Sequence, residues 1–217
     1  FDTFIASDIQ PIVHHHPDPA FNNHQDTHFH YVYTHAKYSL KLFHRDTAQL
    51  HDWQTSGGLS LRGYPVIYLH GNRGSHAEGR SLAYEFQQQY SSNNAKHGNV
   101  SADFFAIDFG EEWSALSAHI VFAQARFLND CARTIISLYN RTEYRGIVVV
   151  GHSMGGLAAR LSPLLSNYLE NSIHTMITLS TPHQEGVIAI DRSLSQMYRI
   201  MSAGWKSNDQ HAVLSNL

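Results

Sequence analysis

The sequence feature that most constrains the fold is the hexapeptide Gly-His-Ser-Met-Gly-Gly at residues 151–156, which directly follows the apolar residues 147–150. A helix-compatible stretch begins at Leu157. Strand, G-x-S-x-G turn and helix together form the setting in which a nucleophilic serine projects its hydroxyl from the edge of a sheet. The two glycines remove side chains that would crowd such a strained turn. We therefore predict that Ser153 is a catalytic nucleophile, and the alternative is a structural turn in which the serine is idle.

From Tyr64 onward, apolar strand patterns alternate with helical patterns, which is typical of a parallel sheet with crossover helices on both faces. Two further short strands, at residues 29–33 and 38–43, form a predicted antiparallel start to the sheet. The predicted parallel strands lie at 66–69, 103–107, 147–150 and 175–179, and the predicted helices at 81–89, 114–139, from the turn to about Tyr168, and within 187–201. The pattern predicts an α/β fold whose element order resembles the central part of the α/β-hydrolase fold.

Length and composition indicate one globular domain. The chain has 217 residues, of which 42% are hydrophobic and 15% are charged. We expect residues 1–28, rich in histidine and proline, to form an irregular segment, and residues 29–217 to form the domain. The net charge of −3 and the lack of a Lys or Arg block exclude a general nucleic-acid surface. No apolar run is long enough for a transmembrane helix, and the first residues do not resemble a signal peptide.

A serine nucleophile needs donors that hold the oxyanion formed on the attacked carbonyl. The backbone N–H of Met154 follows the nucleophile at a helix start and is one candidate. The second candidate is the backbone N–H of Asn72, in the glycine-containing loop at 70–75 that follows the first parallel strand. The alternative for this loop is a tight turn that needs glycine only for its backbone angles.

The serine also needs a base and an acid, which in this fold follow it in the order acid, then histidine. Asp191 and His211 have this order, but Asp191 falls within a predicted helix. We therefore expect the chain to stop before its true partners, at a truncated C-terminal end. His183 lies near the carboxyl end of the sheet, where it takes part in catalysis, shapes the rim of the site or forms a hydrogen bond to a loop backbone. The remaining carboxylates and histidine after Ser153 are Glu170, Glu185, Asp209 and His174.

Several other residues have two interpretations. Cys131 is the single cysteine and is expected to be a core residue rather than a reactive thiol. The acidic cluster at 108–112 either caps the next helix or contacts substrate. Two glycosylation sequons, at Asn99 and Asn140, permit a secretory compartment. The early histidines are expected to be solvated polar residues, and the alternative is that they form a metal site. They are His14, His15, His16, His24, His28, His30 and His35.

Four blocks in a fixed order resemble the GPI inositol-deacylases over roughly residues 64–201. The blocks are residues 65–69 running into 71–75, residues 103–105 with 108–112, residues 151–160, and residues 181–183 with 191–192. The resemblance implies a serine esterase at the lumenal face of the endoplasmic reticulum membrane, which removes the acyl chain from the inositol of a GPI anchor. One departure is His70, since the family commonly has proline there.

Carried over by position, the resemblance makes Ser153 the nucleophile and the backbones of Asn72 and Met154 the oxyanion donors. We expect no metal and no organic cofactor, since hydrogen bonds alone activate the acyl group. The expected partner is a GPI-anchored protein or another lipid ester, with membrane association through parts of the parent protein outside this chain. The alternatives are a general lipase or esterase with the same machinery, and a non-catalytic binding module that has lost its base.

Overall fold

The structure is a computed structural model that describes residues 29–44, 61, 63–93, 102–139, 146–184 and 192–206. Within these residues the fold is a six-stranded sheet with helices. The strands are β1 (Phe29–His35), β2 (Tyr38–Phe43), β3 (Tyr64–Leu69), β4 (Ala102–Asp108), β5 (Ile147–His152) and β6 (Ile173–Leu179). The helices are α1 (Arg80–Asn93), α2 (Ala118–Leu138), α3 (Met154–Leu161) and α4 (Arg192–Gly204), with short 3-10 turns at His76–Gly79, Ser114–Leu116 and Ser162–Leu164.

The strand order is β1-β2-β4-β3-β5-β6. β3 pairs in parallel with both β4 and β5, and β5 pairs in parallel with β6. β2 is antiparallel to β1, as the two early strand patterns predicted, and it is also antiparallel to β4. The mostly parallel sheet confirms the predicted α/β-hydrolase arrangement. Because the carboxyl ends of parallel strands share one edge, the loops after β3, β4, β5 and β6 meet there.

Alternate residues of the central strands face opposite sides of the sheet, and each side is covered by helix. Ile67 and Leu69 of β3 pack into a core with α2 residues such as Leu128 and Ile135. Tyr68, between them in sequence, packs on the other side with α1. The strands are therefore buried on both faces, which explains their continuous apolar runs. α4 contributes Met197 and Met201 to a further cluster with α2 and α3.

Two predicted helices are shorter in the structure. The pattern at 114–139 is a 3-10 turn followed by α2, because Ser117 is extended (φ −149°, ψ 119°) and interrupts the helix. The helix after the serine turn ends at Leu161 rather than near Tyr168. Pro163 lies just beyond this end, and a proline inside a helix removes a backbone hydrogen bond and clashes with the preceding turn. The predicted irregular segment at 1–28 lies outside the described residues.

Candidate active site

Ser153 stands between the end of β5 and the start of α3 in a strained conformation. Its φ of 52° and ψ of −122° lie in a region that residues other than glycine rarely adopt. Its N–H donates to the Leu179 carbonyl at 2.9 Å, and its carbonyl accepts from the Gly156 N–H at 3.1 Å. The side chain is partly exposed. The structure therefore holds this serine on the sharp turn that the sequence predicts, at the carboxyl edge of the sheet.

The glycines around Ser153 allow backbone segments to approach each other closely. A Cβ on Gly151 would lie 2.6 Å from the Cα of Gly156, and a Cβ on Gly155 would lie 2.5 Å from the carbonyl oxygens of Leu69 and His70. Both contacts are with backbone, which cannot move aside as a flexible side chain can. The turn is thus packed directly on the end of β3. This packing places the serine beside the loop that follows β3.

Gly71, in the loop after β3, lies against the serine side chain. A Cβ on Gly71 would be 2.8 Å from the Ser153 Cβ and 3.2 Å from its Oγ. The structure therefore brings together the nucleophile candidate and the loop that contains Asn72, 81 positions earlier in the sequence. Glycine is required at position 71 because the serine side chain lies so close. Its backbone angle is not the reason, since Gly71 is not among the described residues with positive φ.

Three hydrogen bonds hold the loop after β3 in place. The Asn72 Oδ1 accepts from the Ala115 N–H at 2.9 Å, and the Arg73 N–H donates to the Glu112 carbonyl at 2.9 Å. Gly74 N–H closes the turn on the Gly71 carbonyl at 3.1 Å. The Asn72 side chain is therefore engaged with the neighbouring loop. Met154 is the first residue of α3, where backbone N–H groups have no intrahelical partner.

Arg73 and Trp113 lie at the edge of the candidate site, on the side of the loop after β3. The guanidinium of Arg73 lies 4.5 Å from the Trp113 ring centroid, which is within cation–π distance. Trp113 and Leu116 are both about half exposed. The sequence pattern placed Leu116 in the apolar stripe of a helix, whereas the break at Ser117 turns it toward solvent.

The acidic cluster at 108–112 braces the end of the sheet. Asp108 accepts from the buried Lys41 Nζ at 3.0 Å, and its Oδ2 lies 2.8 Å from the His76 Nδ1. Glu112 pairs with Lys37 and with the Tyr38 hydroxyl. Burial alone would raise the pKa of Asp108, but the His76 hydrogen bond and the Lys41 charge outweigh it and hold that pKa well below its usual range.

These contacts give the acidic cluster a structural role other than the predicted helix cap, because among the described residues no side chain of the cluster forms a hydrogen bond that caps the 3-10 turn at Ser114–Leu116 or α2. Sequence reasoning did not single out Lys41 or His76. The available signal was a lone lysine inside the strand sequence Tyr-Ser-Leu-Lys-Leu-Phe, where every residue proves to be buried. A charge in such a run needs a buried partner.

His183 lies beyond β6, with each ring nitrogen close to another side chain. Nδ1 is 3.2 Å from Arg160 Nη1, and Nε2 is 2.9 Å from Thr178 Oγ1. Because the Arg160 guanidinium only donates, Nδ1 is the acceptor and Nε2–H donates to Thr178. His183 therefore braces the rim in this structure.

The other candidates for base and acid divide into two groups. Glu170 and His174 lie at the amino end of β6, whereas Ser153 lies at the carboxyl end of the parallel strand β5. This placement separates both from the serine by the length of the strand. Glu185, Asp191, Asp209 and His211 lie outside the described residues.

Cys131 is fully buried in the core, and burial raises the pKa of its thiol well above its usual value. Both sequons lie outside the described residues, as do His14, His15, His16, His24 and His28. Within the described ranges, no group of three potential metal ligands comes together. No helix among the residues that the structure describes combines the length and apolarity needed to cross a bilayer.

Comparisons with known proteins identify sequence relatives. The family described as the PGAP1-like alpha/beta domain matches residues 60–217. A GPI inositol-deacylase from Emericella nidulans is 33% identical over 187 residues, covering 79% of this chain and 16% of the relative. One from Eremothecium gossypii is 33% identical over 188 residues, covering 79% of this chain and 18% of the relative. The chain thus spans about a sixth of the length of these relatives.

Solved structures with a similar chain path share little sequence with this chain. TT1662 from Thermus thermophilus has a TM-score of 0.48 and 12% identity, covering 76% of this chain and 67% of its own. The mature Bacillus licheniformis lipase BlEst2 has a TM-score of 0.47 and 17% identity, covering 70% of this chain and 61% of its own.

Proposed function

This chain belongs to the PGAP1-like alpha/beta family, and from that membership we propose that it is the catalytic part of a serine ester hydrolase. The observation that carries the proposal is the contact between Gly71 and the strained Ser153. It puts Ser153, which is a partly exposed residue, beside the loop of Asn72 and the start of α3 at one edge of the sheet. Serine hydrolases need this combination of nucleophile and backbone donors.

In the proposed reaction, the Ser153 Oγ attacks the ester carbonyl carbon and loses its proton to a base. The carbonyl oxygen becomes an oxyanion, which accepts hydrogen bonds from the backbone N–H groups of Asn72 and Met154. The C–O bond to the alcohol breaks, and the alcohol leaves with the proton returned by the base. Water then hydrolyses the acyl-serine in the same way and releases the carboxylic acid. The hydrogen bonds to the oxyanion are donated by backbone N–H groups of the chain itself.

The base and its acid partner have two sources in this proposal. Asp191 and His211 follow Ser153 in the required order and lie outside the described residues. The other source is residues outside this chain, because the chain spans only about a sixth of the length of its relatives. His183 is the weaker candidate, because Arg160 and Thr178 occupy its ring nitrogens.

For the substrate, we propose the acyl chain esterified to the inositol of a GPI anchor, with the reaction at the lumenal face of the endoplasmic reticulum membrane. The names of the relatives support this substrate. A general lipase or esterase is the second candidate, since the machinery around Ser153 does not depend on the alcohol that leaves.

Labelling with a fluorophosphonate probe tests the nucleophile in the full-length protein. We expect covalent labelling of wild-type protein, with the adduct on the peptide that contains Ser153, and no labelling of Ser153→Ala. Ser166→Ala is the matched control, because Ser166 is exposed and lies outside the turn at residues 151–156. Failure of folded wild-type protein to label would favour a non-catalytic binding module.

Substrate choice is tested by mass spectrometry of the fatty acid that is released. We expect wild-type protein to release the inositol-linked chain from an inositol-acylated GPI glycolipid in detergent micelles, and Ser153→Ala to release none. Triacylglycerol in the same micelles is the comparison substrate. Faster release from triacylglycerol than from the glycolipid would favour the general lipase.

A further inference from the structure

We propose that His70 is a positioning residue, whose ring holds the Gly71 carbonyl so that the Asn72 N–H faces the space beside the Ser153 hydroxyl. This inference rests on the proposed function, because it concerns the donor that receives the oxyanion.

Both ring nitrogens of His70 are bonded to backbone. Nδ1 lies 2.8 Å from the Gly71 carbonyl oxygen, and Nε2 lies 2.9 Å from the Phe109 nitrogen. A backbone N–H can only donate, so Nε2 is the acceptor and carries no proton. A carbonyl oxygen can only accept, so Nδ1 carries the proton and donates. The two bonds thus define one neutral tautomer.

The geometry of one peptide group links this ring to the oxyanion donor. The Gly71 carbonyl and the Asn72 N–H belong to the same planar trans peptide, in which C=O and N–H point in opposite directions. The Gly71 oxygen is held inward by the His70 Nδ1–H and also by the Gly74 N–H at 3.1 Å. The Asn72 N–H must therefore point outward from this pair of bonds, on the side away from the buried ring.

The His70 ring is itself well anchored. It is 1% exposed and packs edge-on against Phe109, with ring centroids 5.1 Å apart. Phe109 follows β4 directly and is fully buried. Without this anchor, only the Gly74 N–H would hold the Gly71 carbonyl, and the peptide between Gly71 and Asn72 would rotate more easily, since glycine has little steric restriction on its backbone angles. The ring thus connects the loop after β3 to the end of β4, and it prepares the donor before substrate arrives.

The charge of the ring matters because only the neutral tautomer can accept from Phe109. Burial lowers the pKa of His70. The charged and titratable groups that face it are Asp108 and Glu78, which favour the protonated ring, and His76, which disfavours it. The Asp108 Oδ1 is 4.0 Å from Nε2. The neutral form therefore predominates at neutral pH and above.

Two amide substitutions separate the two bonds in the full-length protein. In His70→Asn, the side-chain amide reaches the position of Nδ1 and can still donate to Gly71, but the bond from Phe109 is lost. In His70→Gln, the amide oxygen reaches the position of Nε2 and can still accept from Phe109, but the bond to Gly71 is lost. Each variant loses one buried hydrogen bond, so we expect similar decreases in melting temperature.

The kinetic outcomes differ. We expect His70→Gln to lower kcat at least about 10-fold with little change in KM, approaching the roughly 100-fold loss seen when a whole oxyanion donor is removed. His70→Asn should retain kcat within about 3-fold of wild type, since it keeps the bond that orients the donor. His70→Phe, which keeps the ring but has neither bond, should match or exceed the loss in His70→Gln.

Equal kcat for the Asn and Gln variants, at equal melting temperature, would overturn the positioning role and leave His70 a structural residue. So would an unchanged kcat in His70→Phe. If folded wild-type protein neither hydrolyses esters nor reacts with fluorophosphonate, the proposed function fails instead. The two failures are therefore distinguishable, because the first requires an active wild type.

Discussion

Gly71 and Ser153 are packed so closely that the glycine has no room for a side chain, since an added Cβ would lie 2.8 Å from the serine Cβ. We predict that Gly71→Ala lowers kcat/KM for ester hydrolysis at least about 100-fold, because either the serine or the oxyanion loop must shift. Ester hydrolysis by the purified full-length variant checks this.

Gly110→Ala is the control for Gly71→Ala. Gly110 has a φ of 63°, and an added Cβ would have ordinary contacts, the nearest being the Lys37 carbonyl at 3.5 Å. Its substitution should cost about 1–2 kcal/mol of stability through backbone strain and leave hydrolysis unchanged. Wild-type activity in Gly71→Ala would contradict the close approach seen here.

Because the backbone of Ser153 is strained, we predict an unusual order of stability between two variants that lack its hydroxyl. Glycine tolerates the φ of 52° and alanine does not. Ser153→Gly should therefore be more stable than Ser153→Ala by about 1–2 kcal/mol, measured by urea unfolding. Ser162 has a helical φ of −55°, and there the order should reverse, with alanine favoured by about 0.5–1 kcal/mol. The same order at both positions would argue against a strained serine.

We predict that substitution of Asp108 changes the free energy of unfolding by an amount that depends on pH. Its pKa in the folded protein is depressed by the His76 hydrogen bond and the Lys41 charge, despite the opposing effect of burial. A carboxyl with a depressed folded pKa contributes stability that is complete above its unfolded pKa and is lost as the pH falls toward the folded value. Asp108→Asn, which leaves Lys41 buried without its carboxylate, should thus lose about 3 kcal/mol at pH 7 and less below about pH 4.

The control for this pH dependence is Asp130→Asn, because burial raises the pKa of Asp130. A raised carboxyl pKa has the opposite linkage, so ionisation of wild-type Asp130 reduces stability as the pH rises through its folded pKa. The Asn variant should therefore gain relative to wild type with rising pH. Urea unfolding at pH 3, 5 and 7 measures both trends, and parallel trends for the two variants would contradict the assignment at Asp108.

His183→Ala tests whether this histidine acts as the base. Since Arg160 and Thr178 occupy its ring nitrogens, we expect a decrease in kcat of less than about 10-fold, whereas loss of a general base costs about 10²–10⁴-fold. His174→Ala, at the opposite end of β6, is the control and should be neutral. A decrease near 10⁴-fold, with the fold intact, would identify His183 as the base.

The local features of this fold could be predicted from the sequence. The apolar runs at β3 to β5 and the hexapeptide at 151–156 can be recognised from a few residues each, because strand burial and turn strain restrict which residue types fit. The same locality led to the prediction that Ser153 lies on a sharp turn, and the structure places it there. The roles of Ser153 as nucleophile and of the Asn72 N–H as oxyanion donor stay predictions, which rest on the order of elements in the α/β-hydrolase fold.

Only the tertiary structure showed the contacts between distant segments. His70 meets Phe109, Lys41 meets Asp108, and Gly71 meets Ser153 across separations of 39, 67 and 82 residues. The periodicity of the sequence does not indicate such pairs, because each of the two residues, taken alone, resembles an ordinary loop or strand residue. The break at Ser117 was missed for a related reason, since the apolar spacing continues across it. The path of the folded chain brings separate elements together. Hydrogen bonds and close contacts between those elements decide these features.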